Sequence, residues 1–259
     1  MSPVIALSIP APQERHDELL RAQVAPVIHA WESAQAPRLA WFERANKPDW
    51  GLRILARGDA EWLEHDVRPT LAAAFAGRAE FSEEAGHDKW TGGLGETDRL
   101  GAFLSADTHA ALEALEAEAC GALGSRAQFS LAVVEGLLDA SGMEGEARLA
   151  FYRESFEWAI DLGRWDRDVL DSLERTFANQ RTTLLGVGGR SEAWPSPVAA
   201  RIGCELLDAV AAWSRGAERG IVLHAVRGHS NRLGIHGGRE AALRYLMWRA
   251  RGGHALAPA

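Results

Sequence analysis

The chain has 259 residues, 47% of them hydrophobic, and a formal net charge of −8. It is long enough to bury a sizeable core without disulfides, and its acidic balance argues against a broad nucleic-acid-binding surface. No apolar run approaches the roughly 20 residues of a membrane span, and the start lacks a signal-peptide pattern, so we expect a cytoplasmic protein without a membrane partner. Cys120 and Cys204 lack metal-ligand spacing, so we expect no zinc site.

The first part of the chain predicts a helix, a β-hairpin and a second helix. Apolar residues recur at helical spacing over residues 11–34, broken only by Pro26. RLAWFER (38–44) and GLRILAR (51–57) are short alternating segments on either side of a turn, which is typical of a hairpin. Residues 59–77 open with an aspartate that can cap a helix and end in glycine, so they predict an amphipathic helix packed on the hairpin.

The rest of the chain predicts one loop and then helices. Residues 86–101 are rich in glycine and charge, which indicates a loop with at most a brief strand near 89–91. Helical patterns begin after Ser105 and are separated by short Gly and Ser breaks, with 186–197 as a linker; they cover residues 106–123, 128–139, 144–162, 166–179, 198–216, 221–233 and 239–251.

These elements predict an α+β fold with a small antiparallel sheet covered by a mostly helical remainder, in a single domain over residues 1–259. A parallel nucleotide-binding architecture is disfavoured, because the glycines of GVGGR and GGLGE do not follow a strand and open a helix. We find no internal repeat.

Three clusters could carry chemistry, and each has a structural alternative. Arg44 and Arg53 could serve a site or face solvent beside the hairpin turn. The GETDRLG stretch (95–101) could bind substrate or cap the next helix. VRGHSNRLGI (226–235) crowds hydrogen-bonding side chains together and could form a pocket wall, or simply a helix end with Gly234 as its C-cap.

Helical spacing within the last cluster separates its side chains into two sets. Arg227, Ser230 and Asn231 are three and four residues apart and share one side of a helix, whereas His229 and Arg232 point elsewhere. One face can therefore line a pocket while the other holds the fold.

Three stretches in order along residues 15–252 carry a family resemblance: WFERANKPDWGLRIL, GGLGETDRLGAFLSADT and GHSNRLGIHGGREAALRYLMWRA. Together they resemble the thiopeptide-type bacteriocin biosynthesis domain, whose motifs look like FxRYxDPxxHLRLR, YxPETxRYGG and HxHxNRLxG. This domain occurs in three forms. It is the C-terminal glutamate-elimination part of lantibiotic dehydratases, it occurs as a split elimination protein, and it occurs as a stand-alone thiopeptide pyridine synthase. The resemblance implies a similar fold and a ribosomally made precursor peptide as partner.

The departures from the motifs distinguish between these activities. Ala45 and Trp50 replace a tyrosine and a histidine of the first motif, and Leu100 replaces an aromatic residue of the second. Arg227 stands where the elimination family has its first histidine, and elimination needs a base for the α-proton. The resemblance therefore favours a pyridine synthase, which joins two dehydroalanines in a formal aza-[4+2] cycloaddition and then loses water and the leader peptide.

The resemblance also implies roles for individual residues. A serine in the NR motif and a tyrosine shortly after it are implicated in pyridine synthases, and this chain has Ser230 and, at the tyrosine-like place, His236. We expect Ser230, His236, Glu96 and His229 to act in catalysis without a metal or cofactor. The expected substrate-binding residues are Arg44, Arg53, Arg99, Trp50, Trp90, Arg227, Asn231, Arg232 and Leu233.

Two alternatives stay open at this point. The chain could be a split glutamate-elimination lyase that makes dehydroalanine. It could also be a non-catalytic partner that binds the leader peptide, with an edge of the hairpin pairing to it. The resemblance allows for a homodimer in each case.

Overall fold

The computed structural model describes residues 3–32, 38–45, 50–77, 80–83, 97–161, 163–187, 194–214 and 217–256. The chain forms two compact units, Met1–Ala119 and Cys120–Ala259. That the two together constitute one domain stays a prediction. Across the described ranges, no helix has the length and apolar character needed to cross a membrane.

The first unit is built on a four-stranded antiparallel sheet with the strand order β2-β3-β1-β4. The predicted hairpin is confirmed as β2 and β3, although most of its turn lies outside the described residues. The four strands are β1 (Val4–Pro10), β2 (Leu39–Ala45), β3 (Gly51–Arg57) and β4 (Glu80–Glu83).

Strand β1 is central to this sheet but was not predicted from the sequence. Its sequence VIALSIP is buried at nearly every position, so it lacks the alternation of a strand with one wet face. Strand β4 is only four residues long and was missed as well. The brief strand predicted near residues 89–91 lies outside the described residues.

Two helices of the first unit contain a π-helical turn that ends two residues before a proline. Helix α1 comprises a 3-10 turn, Gln13–Arg15, then His16–Leu19, the π turn Leu20–Val24, and Ala25–Glu32. Pro26 has no amide hydrogen and its ring would clash with the carbonyl four residues back. The wider turn accommodates the ring, and the interruption predicted at Pro26 takes this form.

Helix α2 repeats this arrangement before Pro69. Asp59 caps the helix as predicted, since its carboxylate accepts a hydrogen bond from the Trp62 amide at 2.8 Å. Gly77 follows with a φ of 71°, as expected after a helix end. The helix comprises Ala60–Trp62, the π turn Leu63–Val67, and Arg68–Ala74.

Helix α3 (Thr97–Ala119) packs along the edge of β2. The Phe42 amide at this edge donates to Thr108 Oγ1 at 3.4 Å. The helix begins within the stretch 86–101 that was predicted to be a loop, so that expectation is wrong for its last residues. Gly101, one of the glycines that indicated a loop, instead lies inside the helix, where it is close to Leu39 of β2.

The second unit is helical throughout its described elements, as the sequence predicts. Most boundaries agree within two or three residues, but the third helix runs to Gly186, seven residues beyond its predicted end at Asn179. The helices are α4 (Arg126–Ala140), α5 (Gly145–Asp161), α6 (Arg167–Gly186), α7 (Pro197–Ser214), α8 (Arg219–Arg232) and α9 (Gly238–Ala250). Most of the predicted linker, 188–193, lies outside the described residues.

Helix α9 runs through the core of the second unit, packed on α5 and α6. Tyr245 and Trp248 on α9 meet Phe156 of α5 edge-on or tilted, each with ring centroids 5.3 Å apart. Trp165 stacks on Phe156 with ring centroids 5.7 Å apart. This aromatic cluster fixes α9 along its length, and the predicted α+β class with a small antiparallel sheet is confirmed.

Helix α8 ends as the structural alternative predicted for VRGHSNRLGI. Gly234 has a φ of 70°, which favours glycine. Its amide donates to the Asn231 carbonyl at 2.9 Å, and the Ile235 amide donates to the Ser230 carbonyl at 2.8 Å. These two bonds form a Schellman motif, which fixes the direction in which the chain leaves α8 toward α9.

Candidate functional site

Ser230 and Arg244 form a hydrogen bond inside the second unit. Ser230 lies in the last turn of α8, and Arg244 lies in the middle of α9. The Arg244 guanidinium donates through Nη2 to Ser230 Oγ at 2.6 Å, and both residues are 1% exposed. A buried guanidinium needs compensating acceptors, so the serine oxygen is one reason that a full charge can lie here.

Glu240 is the third member of this arrangement. Its Oε1 lies 3.6 Å from Arg244 Nη2, one helical turn away on α9. The Glu240 carboxylate also hydrogen-bonds the Ser230 side chain. Because a guanidinium has donors only, Ser230 Oγ accepts from Arg244 and its own proton is left for the Glu240 carboxylate. The hydroxyl thus accepts and donates at once.

The surroundings of the Glu240 carboxyl act on its pKa in opposite directions. Burial raises the pKa of Glu240 above its ordinary value. Arg244, Arg227 and the hydrogen bond from Ser230 each oppose this by favouring the carboxylate. The net pKa is raised, which brings the group nearer to the pH range in which acid–base catalysis operates.

Arg227 adds a second positive charge at the surface of this arrangement. It lies one turn before Ser230 on α8 and is exposed. Burial, and then the charge of Arg227, lower the pKa of the neighbouring His224. We call Arg227, Ser230, Glu240 and Arg244 the Ser230 cluster.

A second polar network lies behind Arg244 and centres on the buried carboxylate of Glu135. The Tyr152 hydroxyl donates a hydrogen bond to the Glu135 carboxylate. Arg148 Nη1 donates to the same carboxylate at 3.1 Å, and Arg251 Nη2 does so at 2.5 Å. Burial raises the pKa of the Tyr152 hydroxyl and the Glu135 charge raises it further, whereas the charge of Arg244 lowers it. Arg244 therefore acts on Tyr152 as well as on Ser230.

This second network borders a surface depression of about 330 Å³. The lining residues carry both signs of charge; they are Glu135, Asp139, Glu144, Gly145, Arg148 and Arg251. Arg148 is held there by Asp139 at 2.5 Å and by the Met143 carbonyl at 2.9 Å. Within the described ranges, no group of three or more His, Cys, Asp or Glu side chains is arranged to hold a metal ion.

The other predicted residues of the late motif surround Ser230 in different ways. His229 is fully buried, with its ring centroid 6.0 Å from that of Phe129 on α4. The Leu233 carbonyl accepts a hydrogen bond from Arg126 Nη1 at 2.9 Å. Asn231 and His236 are half-buried, and Arg232 is buried. Among these residues, Arg227 alone is exposed.

The hairpin does not bring its two predicted arginines together. Arg44 is paired with Leu52 across the strands and Arg53 with Glu43, so the arginines lie on opposite faces of the sheet. Arg44 is buried and bonded to Asp17 at 2.6 Å, so facing solvent is the wrong alternative for it. Arg53 is half-buried.

The predicted tryptophans differ in their environment. Trp41, which lies on the hairpin, is fully buried in the sheet. Trp50 is 38% exposed and lies edge-on to His16, with ring centroids 6.1 Å apart. Glu96 and Trp90 lie outside the described residues, as does the side chain of Arg99 in the first turn of α3.

Four residues of these two networks were not predicted from the sequence: Glu240, Arg244, Tyr152 and Glu135. A signal for the first two was present, because Glu240 and Arg244 are four residues apart in the helix that follows the late motif. The link between Tyr152 and Glu135 joins α5 to α4 and leaves no trace in local spacing.

Comparison with known proteins identifies related domains. Residues 5–251 match the family model described as lantibiotic biosynthesis dehydratase C-term. Among solved structures, the tRNA-dependent lantibiotic dehydratase MibB from Microbispora sp. 107891 is 19% identical with a TM-score of 0.69. The pyridine synthase TbtD from thiomuracin biosynthesis is 18% identical with a TM-score of 0.69, and TsrL is 16% identical with a TM-score of 0.64.

The coverage of these structures differs. Each match covers 96% of the present chain, but it covers 28% of MibB, 97% of TbtD and 94% of TsrL. The chain therefore spans less than a third of the dehydratase that it matches. No curated protein sequence matches the chain. At these identities the structural likeness establishes a shared fold.

Proposed function

The chain belongs to the family of lantibiotic biosynthesis dehydratase C-terminal domains, and from this membership we propose that it is a thiopeptide pyridine synthase. Its substrate is a ribosomally made precursor peptide that carries a leader, azole rings and two dehydroalanines. The reaction is a formal aza-[4+2] cycloaddition, followed by loss of water and of the leader peptide as a carboxamide. We propose roles in catalysis for Ser230, His236, Glu96 and His229, and roles in substrate binding for the arginines and other residues that the family resemblance implies.

The chemistry needs proton relocation more than a strong nucleophile. One amide of the substrate must move its proton from nitrogen to oxygen, so that it becomes part of an azadiene. The two alkenes, which are distant along the peptide, must also be held within bonding distance. Correct positioning can lower the barrier by roughly 7–11 kcal/mol in favourable intramolecular cases. Groups that accept and donate protons at the same place therefore suit this reaction.

The observation that carries the proposal is the geometry of Ser230. Its oxygen accepts from Arg244 at 2.6 Å and its proton is directed to the Glu240 carboxylate. A connected donor and acceptor of this kind suits a site that moves a proton between two atoms of one amide. Arg227, at the place of the elimination family's histidine, is no base at neutral pH because a guanidinium stays protonated. These two features support ring formation over abstraction of an α-proton.

The second candidate function is glutamate elimination by a split lyase. The observation in its favour is the exposed guanidinium of Arg227 near the Glu240 carboxylate, since a cationic group at the surface can receive a departing carboxylate. Incubation of the protein with a glutamylated and with a fully dehydrated precursor, followed by mass spectrometry, separates the two. A ring product and a leader carboxamide support the synthase, whereas loss of glutamate supports the lyase.

A purely peptide-binding role is less well supported. In the described part of the sheet, the outer edge of β2 lies against α3, and the Phe42 amide there is bonded to Thr108. A leader peptide adding to the hairpin at this edge would have to displace that helix. We propose that the precursor contacts the chain elsewhere, and that Ser230 and Glu96 are needed for turnover.

A further inference from the structure

We propose that Glu240 is the acid–base group that meets the substrate, and that Ser230 and Arg244 act through it as positioning residues. This inference rests on the function proposed above and names the group that moves the proton. It changes the role of Ser230, which the family resemblance implicates in the chemistry.

Accessibility separates the roles of the three residues. Ser230 is 1% exposed, and the Arg244 side chain is 2% exposed. The Glu240 side chain keeps 17% of its surface exposed, so it is the member of the trio that a peptide amide can reach without rearrangement of the core. A group that transfers a proton must come within hydrogen-bond distance of the atom concerned.

The neighbours of Glu240 favour its charged form. Arg244 donates to Ser230 at 2.6 Å and lies 3.6 Å from the Glu240 carboxylate, which the Ser230 hydroxyl also hydrogen-bonds. Both neighbours are donors toward the carboxylate, so they stabilise its charged form and orient it. The lone pairs that they leave unused are available to accept a proton from the substrate.

The proton balance of the step is simple. The amide N–H bond of the substrate breaks as an O–H bond forms on Glu240, and the carboxyl then returns a proton to the amide oxygen. The amide becomes an imidic acid, with a new C=N bond and a new O–H bond. Glu240 is restored to a carboxylate, and no oxidant, reductant or further reactant is needed.

Arg227 serves this step from the exposed side of the cluster. Its charge favours the Glu240 carboxylate, and the side chain lies at the surface where a peptide would arrive. The groups that act on the Glu240 carboxyl are thus Arg244 of its own helix together with Arg227 and Ser230 of α8. Tyr152 is coupled to Arg244 from α5.

The test uses the full chain with the fully dehydrated, azole-containing precursor and follows ring product by mass. The variants are Glu240→Gln, which keeps the size and a hydrogen-bonding side chain but cannot take up a proton, and Glu240→Asp, which keeps the carboxyl. Glu205→Gln is the matched control, since Glu205 pairs with Arg201 four residues away on α7 and is exposed. Circular dichroism establishes that each variant is folded.

We expect Glu240→Gln to lower turnover at least a hundredfold, Glu240→Asp to retain part of it, and Glu205→Gln to equal the wild type. The wild-type rate should fall as the pH drops through the raised pKa of Glu240, and this limb should be absent in Glu240→Gln. Ser230→Ala should move the limb to higher pH, because it removes a hydrogen bond that lowers the pKa of Glu240. A purely structural role for Ser230 would not move it.

The results that overturn the inference are distinct from those that overturn the function. If the wild type forms the ring and Glu240→Gln forms it equally fast, the assignment of Glu240 is wrong while the synthase stands. A ¹³C titration of the Glu240 carboxyl gives a readout without turnover, and an ordinary glutamate pKa there also overturns the inference. If the wild type forms no ring, both proposals fall.

Discussion

Arg244 in the middle of α9 donates a hydrogen bond of 2.6 Å to Ser230 at the end of α8, and the same nitrogen lies 3.6 Å from Glu240. One guanidinium thereby joins the hydroxyl of the late motif to a carboxylate that lies outside it. Of the polar side chains collected at the end of α8, this arrangement accounts for Ser230.

Replacing Arg244 with alanine should destabilise the protein strongly. The change leaves a largely buried carboxylate and a buried hydroxyl without their shared donor, and breaking a buried pair in this way costs about 3–5 kcal/mol. Arg244→Lys should cost less, because the charge is kept while the planar fork of donors is lost. Urea denaturation followed by circular dichroism measures both, and equal stability of the alanine variant and the wild type would contradict this account.

Tyr152→Phe should lower the free energy of unfolding by about 1–3 kcal/mol, because it removes a donor from a buried carboxylate. Glu135 would keep only its bonds to Arg148 and Arg251 among the contacts that the structure shows. Tyr245→Phe is the matched control, since Tyr245 donates to Glu174, which is far more exposed than Glu135. A larger loss from Tyr245→Phe than from Tyr152→Phe would show that burial of the acceptor does not set the cost.

The two ends of α8 predict a contrast between two glycines. Gly234→Ala should cost about 1–2 kcal/mol, because Gly234 has a φ of 70° within the Schellman motif. Gly220→Ala, in the first turn of α8, should be neutral or stabilising by at most about 1 kcal/mol, since a Cβ there meets nothing within 4 Å. Thermal unfolding of the two variants measures the difference, which vanishes if the cap is unimportant.

The raised pKa of Glu240 predicts a pH dependence of stability. A carboxyl whose pKa is higher in the folded than in the unfolded state binds its proton more tightly when folded, so it stabilises the fold at low pH. That stability is lost as the pH rises from the unfolded pKa through the folded one. The stability of the wild type relative to Glu240→Gln should therefore decrease over this window, as measured by urea denaturation at each pH; an increase would mean that the pKa is lowered instead.

The elements with strong local patterns could be predicted from the sequence. The hairpin alternates, α2 has its Asp59 cap and its terminal glycine, and α8 ends at Gly234 as expected. Strand β1 could not be recognised as easily, because it is buried on both faces and its apolar run carries no period.

The candidate site could be predicted only in part. Ser230 was found through its motif, but its importance depends on Arg244 and Glu240, which reach it across the gap between two helices. Arg44 and Arg53 were grouped as one cluster because they flank the hairpin turn, but they lie on opposite faces of the sheet. Pairing register and helix packing decide both cases, and neither is encoded in local spacing.

Ser230→Ala and Glu96→Ala should bind the leader peptide as the wild type does but turn over much more slowly, with enough residual rate in Ser230→Ala to record its pH profile. A fluorescently labelled leader gives the affinity, and ring product followed by mass gives the rate. If both variants retain turnover, the residue assignment is wrong. If both lose leader binding together with turnover, they act in recognition of the peptide rather than in its chemistry.

The mass of the released leader peptide tests the central claim most directly. When the protein is incubated with the fully dehydrated, azole-containing precursor, we predict a leader that ends in a carboxamide and a core lighter by one water in addition to the lost leader. The proposed synthase is contradicted if the leader stays attached to the core while the same protein removes glutamate from a glutamylated precursor.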